Sequence, residues 1–233
     1  MSINISLKKK LPFYTIDISF SCPDGKMLVM VGPSGGGKTT IIRMLAGLEK
    51  PDEGEIFFRD RPWFDSRSDI NIPVQKRRLG YVFQDYTLFP HLNLYENAAF
   101  AAVDKNEVDE LFELFSINHL RKQKPDRVSG GERQRCAICQ ALARHPRVLL
   151  LDEPFSALDV ITRRDLRDEL KNLKGRYPFP MIYVTHDINE AYFLADQILP
   201  IVEGKVVSEW MKRTVACDTT LRAARKPRLA IAY

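Results

Sequence analysis

The 233-residue sequence has no long apolar run: stretches such as Val148–Leu151 fall far short of the roughly 18 residues that span a bilayer. A membrane-spanning helix is excluded on that count. Cysteine is scarce, with four, at positions 22, 136, 139 and 217. Only Cys136 and Cys139 make a C-x-x-C. They fall three apart on one face of a helical stretch, with no second pair and no H-x-x-x-H to complete four ligands. The pattern argues for small residues packed on a helix, and we assign neither metal nor disulfide to it. Basic and aromatic residues do not interleave as they do on a platform that stacks bases. The net charge of +5 therefore reads as a solvated surface with a frayed basic tail (Arg222, Arg225, Lys226, Arg228), and no nucleic-acid partner is expected. Internal repeats and low-complexity segments are also lacking. No apolar stretch follows Lys8, Lys9 and Lys10 to form a signal peptide. The chain is expected in the cytoplasm, held at any membrane by another protein.

What is present is an ordinary globular composition, 45% hydrophobic and 28% charged, at a length that fits one domain with a small subdomain. Alternation marks strands at Asn4–Leu7 and Thr15–Phe20, and a buried strand at Met27–Val31 runs into a glycine-rich loop and a helix from about Lys38 to Leu48. Pro51-Asp52-Glu53-Gly54 reads as a turn, Glu55–Phe58 as a strand, and Arg59 to Arg78 as a polar loop. A strand follows at Leu79–Phe83. From Asn93 to Arg144 the pattern is helical, with Leu94, Ala98 and Ala102 on one face and a new helix opening near Ser129. Strands at Val148–Leu151, Met181–Val184 and Gln197–Ile201 alternate with helices at about 160–174 and 187–195. Such alternation predicts an α/β core with a mostly parallel sheet, antiparallel β structure at the N-terminus, and a helical lobe inserted at about 85–145.

Gly32-Pro33-Ser34-Gly35-Gly36-Gly37-Lys38-Thr39 matches G-x-x-x-x-G-K-[ST] between a buried strand and a helix. Polyphosphate must approach the backbone closely, and glycines at 35, 36 and 37 leave N–H groups free to point inward. The helix N-terminus adds partial positive charge, Lys38 a full one at the β- and γ-phosphates, and the Thr39 hydroxyl a ligand for Mg²⁺. Thr40 completes the predicted nucleotide contacts. A flexible glycine turn would be the plain alternative, but it does not explain the lysine and threonine in that context.

Val148–Leu151 ends abruptly in Asp152-Glu153-Pro154. Two acids at the tip of an apolar strand suit the cleft at a sheet's carboxyl end, where ligands collect. Asp152 is expected to hold Mg²⁺ and Glu153 to orient or deprotonate the attacking water. By itself the pair would also fit a solvated turn. Ser129-Gly130-Gly131-Glu132 has the form of a capping box opening a helix, and also of a second anion site with exposed donors. Two phosphate-binding elements in one chain imply a nucleotide held between two copies.

Taken in order, the P-loop, Gln84, Val128-Ser129-Gly130-Gly131-Glu132, Leu151-Asp152-Glu153-Pro154, Ser156-Ala157-Leu158-Asp159 and Val184-Thr185-His186-Asp187 resemble an ABC ATPase cassette over residues 3 to 210. The resemblance implies a P-loop NTPase (RecA-like) core with an N-terminal antiparallel β subdomain and an inserted α-helical subdomain. The cassette is expected over 1–210, with the helical subdomain about 85–145 and a short tail at 211–233. The resemblance further implies a head-to-tail dimer with two ATP molecules, each gripped by one P-loop and by Ser129, Gly130, Gly131 and Glu132 of the other copy. Gln84 then matches the loop that senses Mg²⁺ and water, Asp159 the loop that communicates across the dimer, and His186 the switch histidine at the γ-phosphate. Val128 and Glu132 stand where leucine and glutamine are commoner. Phe13 and Tyr14 are the candidates for stacking on adenine, although strand packing would serve either equally.

With no fused membrane segment, the resemblance implies an importer subunit, peripheral on the inner face of the cell membrane, with separate permease subunits and, through them, a solute-binding protein. Tyr86-Thr87-Leu88-Phe89-Pro90-His91-Leu92 resembles the segment that meets the permease, and an exposed Leu-Phe-Pro there suits a protein contact, while core packing of the helical lobe would equally explain Phe89. The run from Ile72 to Asp85 looks most like the molybdate or tungstate importers, with sulfate importers close behind. The tail is too short for a regulatory β-barrel, so no cargo sensing is expected of it. A soluble ABC-class ATPase not tied to transport is the rival reading, although 85–145 leaves no room for a long coiled coil.

Overall fold

The computed structural model describes residues 2–85, 87–217 and 228–229, with backbone alone at 215–217, 228 and 229. Of the basic tail, Arg222, Arg225 and Lys226 lie outside the described residues, as does Tyr86 in the loop after Gln84. The chain begins with β1 (Ser2–Lys10) and β2 (Thr15–Pro23), which pair antiparallel. Their alternation is strict: Ile3, Ile5 and Leu7 face inward with Ile16, Ile18 and Phe20. Strand β3 (Met27–Val31) leads through the glycine loop into α1 (Lys38–Ala46), then β4 (Glu53–Phe58), β5 (Arg61–Asp65) and β6 (Ile70–Asn71). The first sheet has the order β2-β1-β4-β5-β6.

Two expectations fail here for physical reasons. Glu53 and Gly54 belong to β4 rather than to a turn. Gly54 lies opposite Leu7 at φ 109, and a Cβ there would come within 2.0 Å of the Ser6 carbonyl oxygen, so close backbone approach selects the glycine. Arg59–Arg78 is not a polar loop, because it holds β5, β6 and a 3₁₀ turn at Val74–Lys76. The register between β4 and β5 shifts at Ile56/Phe57, and adjacent Trp63 and Phe64 are both buried. That bulge erases the period-two signal by which the strand would be recognised.

Arg77, in the same segment, is 1% exposed. Its guanidinium donates to the carbonyls of Met44 and Leu45 at the end of α1 (3.0 and 2.7 Å), to the Ile72 carbonyl (2.8 Å) and to Asn71 Oδ1 (3.1 Å). It thus caps the negative end of the helix dipole, and burial pushes its pKa down to about 10. Arg77→Met is expected to destabilise the fold by about 3 kcal/mol, because the change strands several buried acceptors. Urea unfolding checks this; a loss below about 0.5 kcal/mol would refute the capping role.

Strand β7 (Leu79–Val82) precedes α2 (Leu94–Ala99), α3 (Lys105–Leu114) and α4 (Gly130–Leu142). The helical run predicted from Asn93 to Arg144 is therefore three helices, separated where Asn93, Asp104 and Ser129 each N-cap a new start. Ala102 falls beyond the end of α2. Leu88 and Phe89 are half-buried, not an exposed patch: the Phe89 ring meets Phe100 at 4.6 Å, and buried Asn97 holds the Phe89 backbone through both its N–H and its carbonyl. Cys136 and Cys139 pack in the core, their thiols directed at the Leu94 and Leu111 carbonyls.

The chain continues with β8 (Val148–Asp152), α5 (Val160–Lys174), β9 (Met181–Thr185), α6 (Ile188–Leu194), β10 (Gln197–Val202), β11 (Lys205–Val206), α7 (Ser208–Cys217) and β12 (Arg228–Leu229). The second sheet runs β11-β10-β3-β9-β8-β7, with β12 also on β10, and its β10-β3-β9-β8-β7 stretch is parallel throughout. Each central strand serves two cores. Met27, Val29 and Val31 join the cluster containing α2–α6, whereas Leu28 and Met30 join the one containing α1 and the first sheet. Burial on both faces explains why these strands read as unbroken apolar runs. The result is a RecA-like P-loop core with an N-terminal β subdomain and an inserted helical subdomain. Among the described residues, no helix is long and apolar enough to cross a membrane.

Candidate nucleotide site

Parallel strands present their carboxyl ends on one edge of the sheet, and the register aligns those ends closely. Val31 of β3 pairs with Thr185 of β9, Val184 with Asp152 of β8, and Leu151 with Val82 of β7. The loops leaving these strands carry the P-loop, His186, Glu153 and Gln84. Topology alone thus gathers segments more than a hundred residues apart, at the edge where such folds bind ligands.

The helix after the P-loop differs from the others. Helices α2 to α6 each begin with a side chain that caps the first turn: Asn93, Asp104, Ser129, Asp159 and Asp187. Helix α1 begins at Gly37 with no side-chain cap and no acid in its first turn. Its leading N–H groups are left for something else, and an anion suits them. Lys38, 4% exposed, folds over the same loop and donates to the carbonyls of Gly32 and Pro33 at 2.9 Å each. Burial pushes its pKa down, while Glu153 and Asp152 pull it up. The loop rests on β10: a Cβ at Gly32 would lie 1.9 Å from the Ile201 carbonyl oxygen. That constraint was not apparent from the motif.

Thr39 Oγ1 donates to Asp152 Oδ1 at 3.1 Å, and the Tyr81 hydroxyl donates to Oδ2 at the same distance. Burial raises the Asp152 pKa against the opposing effect of these two bonds. Thr39 and Asp152 supply hard oxygen donors side by side, and Gln84 lines the same cleft. That donor set fits magnesium.

Glu153 holds a left-handed backbone at φ 45, pinned by its N–H on the Val184 carbonyl at 3.0 Å. Its Oε2 lies 3.0 Å from His186 Nδ1. A non-glycine residue in that region stores strain, which the strand end and the following turn must hold. Ser156 contributes by donating its hydroxyl to the Glu153 carbonyl at 3.0 Å. The cleft, about 320 Å³, runs along Ser34 to Thr40 and is closed by Tyr14, Gln84 and Glu153. Tyr14 donates its hydroxyl to the Gly35 carbonyl, while Phe13 stands 93% exposed on the turn before it.

The Ser129–Glu132 segment lines no part of this cleft. It opens α4 with both halves of the capping box formed, and Glu132 Oε2 accepts from the Ser129 N–H and hydroxyl at 2.7 and 2.8 Å. The structure therefore brings the P-loop, Gln84, Asp152, Glu153 and His186 together, and leaves the second anion element elsewhere.

A family model described as ABC transporter matches residues 16–156. This chain belongs to the ABC transporter family. It is 44% identical over 210 residues to the sulfate/thiosulfate import ATP-binding protein CysA 2 of Agrobacterium fabrum, covering 85% of this chain and 60% of the relative. It is 38% identical over 226 residues to the molybdenum import ATP-binding protein ModC of Paramagnetospirillum magneticum, covering 94% of this chain and 62% of the relative. This ABC chain thus spans about 60% of the length of those relatives. Among solved structures, the dimeric ATP-binding cassette MJ0796, bound to ADP and phosphate after hydrolysis, superposes with a TM-score of 0.71 at 28% identity, covering 88% of this chain and 96% of that one.

Sequence reasoning missed three contributors to the site in this ABC cassette: Tyr81 on Asp152, Ser156 on Glu153, and β10 as the floor of the P-loop. Tyr81 carried the nearest thing to a signal, since it alone places a polar group within the apolar β7, one residue before the strand's end and three before Gln84.

Proposed function

We propose that this chain is the ATP-hydrolysing subunit of an importer for a tetrahedral oxyanion, peripheral on the inner face of the membrane and paired with separate permease subunits. Two copies work head to tail. The observation that carries the reading is the separation just described: one cleft holds the phosphate loop, the metal ligands and Glu153–His186, while Ser129–Glu132 stands outside it. A nucleotide in the cleft has one wall, and a second copy supplies the other through Ser129, Gly130, Gly131 and Glu132, with phosphate oxygens replacing the Glu132 carboxylate on the Ser129 donors.

Within the site, the free N–H groups of α1 and the Lys38 ammonium neutralise the β- and γ-phosphates. Thr39, Asp152 and Gln84 hold magnesium, which when bound adds charge neutralisation on the phosphate oxygens. Glu153 orients the attacking water and takes its proton as the water oxygen bonds to the γ-phosphorus and the bond to the bridging oxygen breaks. His186 fixes the Glu153 carboxylate and reaches the same phosphate.

Sulfate/thiosulfate and molybdenum are named in the relatives, and an oxyanion is the cargo class we adopt as the reading common to them. A hollow of about 440 Å³, mostly apolar and bounded by Leu79, Phe83, Phe89, Phe100 and Ala101, lies between the core and the helical subdomain. It is the surface we assign to the permease, with Phe89 at its rim. The test is recovery of the tagged chain from membranes with a permease, together with magnesium-dependent ATP hydrolysis and an ATP-dependent dimer in the purified protein. Hydrolysis without any membrane recovery would favour the soluble ATPase. The absence of both nucleotide binding and dimerisation would overturn the proposal.

A further inference from the structure

Asp152, 3% exposed, ends β8 beside a second acid, and its two carboxylate oxygens are held by different elements. Thr39 on α1 donates to Oδ1, and the Tyr81 hydroxyl on β7 donates to Oδ2, each at 3.1 Å. Glu153, the second acid, has an anchor of its own in His186 at 3.0 Å. Thr39 already has a role as a metal ligand. Tyr81 has none.

Strand geometry explains why a tyrosine makes this contact. Strands β7 and β8 run parallel, with Tyr81 opposite Leu150 and Val82 opposite Leu151. Residues two apart on a strand share a face, so Asp152 follows Leu150 on the side that packs against α1, where Tyr81 also packs. The aspartate therefore stands roughly 7 Å further along the strand than the position opposite Tyr81. A phenol carries its hydroxyl across such a gap, whereas a serine or threonine hydroxyl, one bond from Cβ, stops short of it. Phe83 steadies the ring by stacking on it, with centroids 4.1 Å apart at 29°. With Oδ2 engaged, Asp152 meets Thr39, which lines the nucleotide cleft, through Oδ1 alone. One oxygen offered in a fixed direction suits magnesium, which demands near-octahedral geometry. A carboxylate with both oxygens free can grip the larger calcium ion with the two together.

We propose that Tyr81 is a positioning residue that sets metal preference: by engaging Oδ2 it makes Asp152 a one-oxygen donor and favours magnesium over calcium. It touches neither nucleotide nor metal. Its effect is to arrange the donor before the ion arrives, and removing such a partner costs about 10- to 100-fold in metal affinity. The inference rests on the function proposed above.

The test compares the purified full chain with Tyr81→Phe, which keeps the ring and its stack on Phe83 and removes the hydroxyl alone. A non-hydrolysable ATP analogue is bound first without metal. Mn²⁺ is then titrated by electron paramagnetic resonance, and Mg²⁺ or Ca²⁺ is used to displace it. The variant is expected to bind Mn²⁺ about 10-fold more weakly, and its preference for Mg²⁺ over Ca²⁺ to narrow by about threefold or more. Metal-free affinity for the analogue is expected to stay within about twofold of the parent, because the phosphate-binding N–H groups and Lys38 are unchanged. Unchanged Mn²⁺ affinity, or an unchanged preference between the two ions, would overturn the inference. So would a metal-free loss as large as the loss for Mn²⁺, which would mark a purely structural tyrosine. If Y81F does not fold, Y81M is read by the same criteria, and if neither folds the inference falls. A parent chain that binds no analogue would instead overturn the proposed function.

Discussion

Glu153→Gln is expected to slow ATP hydrolysis by about 10³-fold while leaving ATP affinity close to that of the parent chain. The argument is geometric first. Glutamine has the size of glutamate, so the φ 45 backbone, the N–H on Val184 and the contact with His186 can all persist. What is lost is a group able to take a proton from water. The phosphate-binding elements, Lys38 and the uncapped N-terminus of α1, are untouched. In the proposed head-to-tail pair, binding energy therefore still closes the dimer, and without turnover the closed form is expected to accumulate. Size-exclusion chromatography with ATP and magnesium is expected to give a stable dimer for this variant, and phosphate release to be close to absent. Undiminished phosphate release would remove Glu153 from the chemistry.

Lys38→Ala is expected to weaken ATP binding by about 3 kcal/mol, roughly a hundredfold in Kd, as does truncation of one partner in a buried, hydrogen-bonded charge pair. In the structure the ammonium is buried over the Gly32 and Pro33 carbonyls, so its desolvation is already met when phosphate arrives. It needs only to exchange those neutral acceptors for charged ones, which bind it more strongly. Alanine leaves the uncapped helix end but removes the full charge. Equilibrium titration with a fluorescent ATP analogue measures the loss. An affinity within about twofold of the parent would mean that the backbone N–H groups suffice, against the usual worth of a charge-assisted bond.

The central strands were legible because Val148–Leu151 and Met181–Val184 are buried on both faces and carry no polar interruption. The same double burial hid which strands are neighbours, since an unbroken apolar run says nothing of its partner. The helix start at Ser129 was readable from local capping chemistry, and the helices near 160 and 187 from their alternation with strands, whereas Asp104 was absorbed into a helical run that looked continuous. The hairpin after β4 was lost for the opposite reason: the bulge that buries both Trp63 and Phe64 breaks the alternation. Arg77 fell inside the stretch read as a polar loop, and only the fold, which brings the end of α1 onto its guanidinium, made it an interior cap.

By itself, the order of residues determined that a phosphate loop, an acidic strand end and a capped Ser-Gly-Gly helix exist, because each is a local arrangement of neighbours along the chain. The tertiary structure alone decided that Thr39 and Asp152 touch, that Glu153 meets His186, and that Tyr81 reaches Asp152. Those contacts follow from strand order and register in a parallel sheet. Crossover connections separate its neighbours widely in sequence, so no local pattern records them.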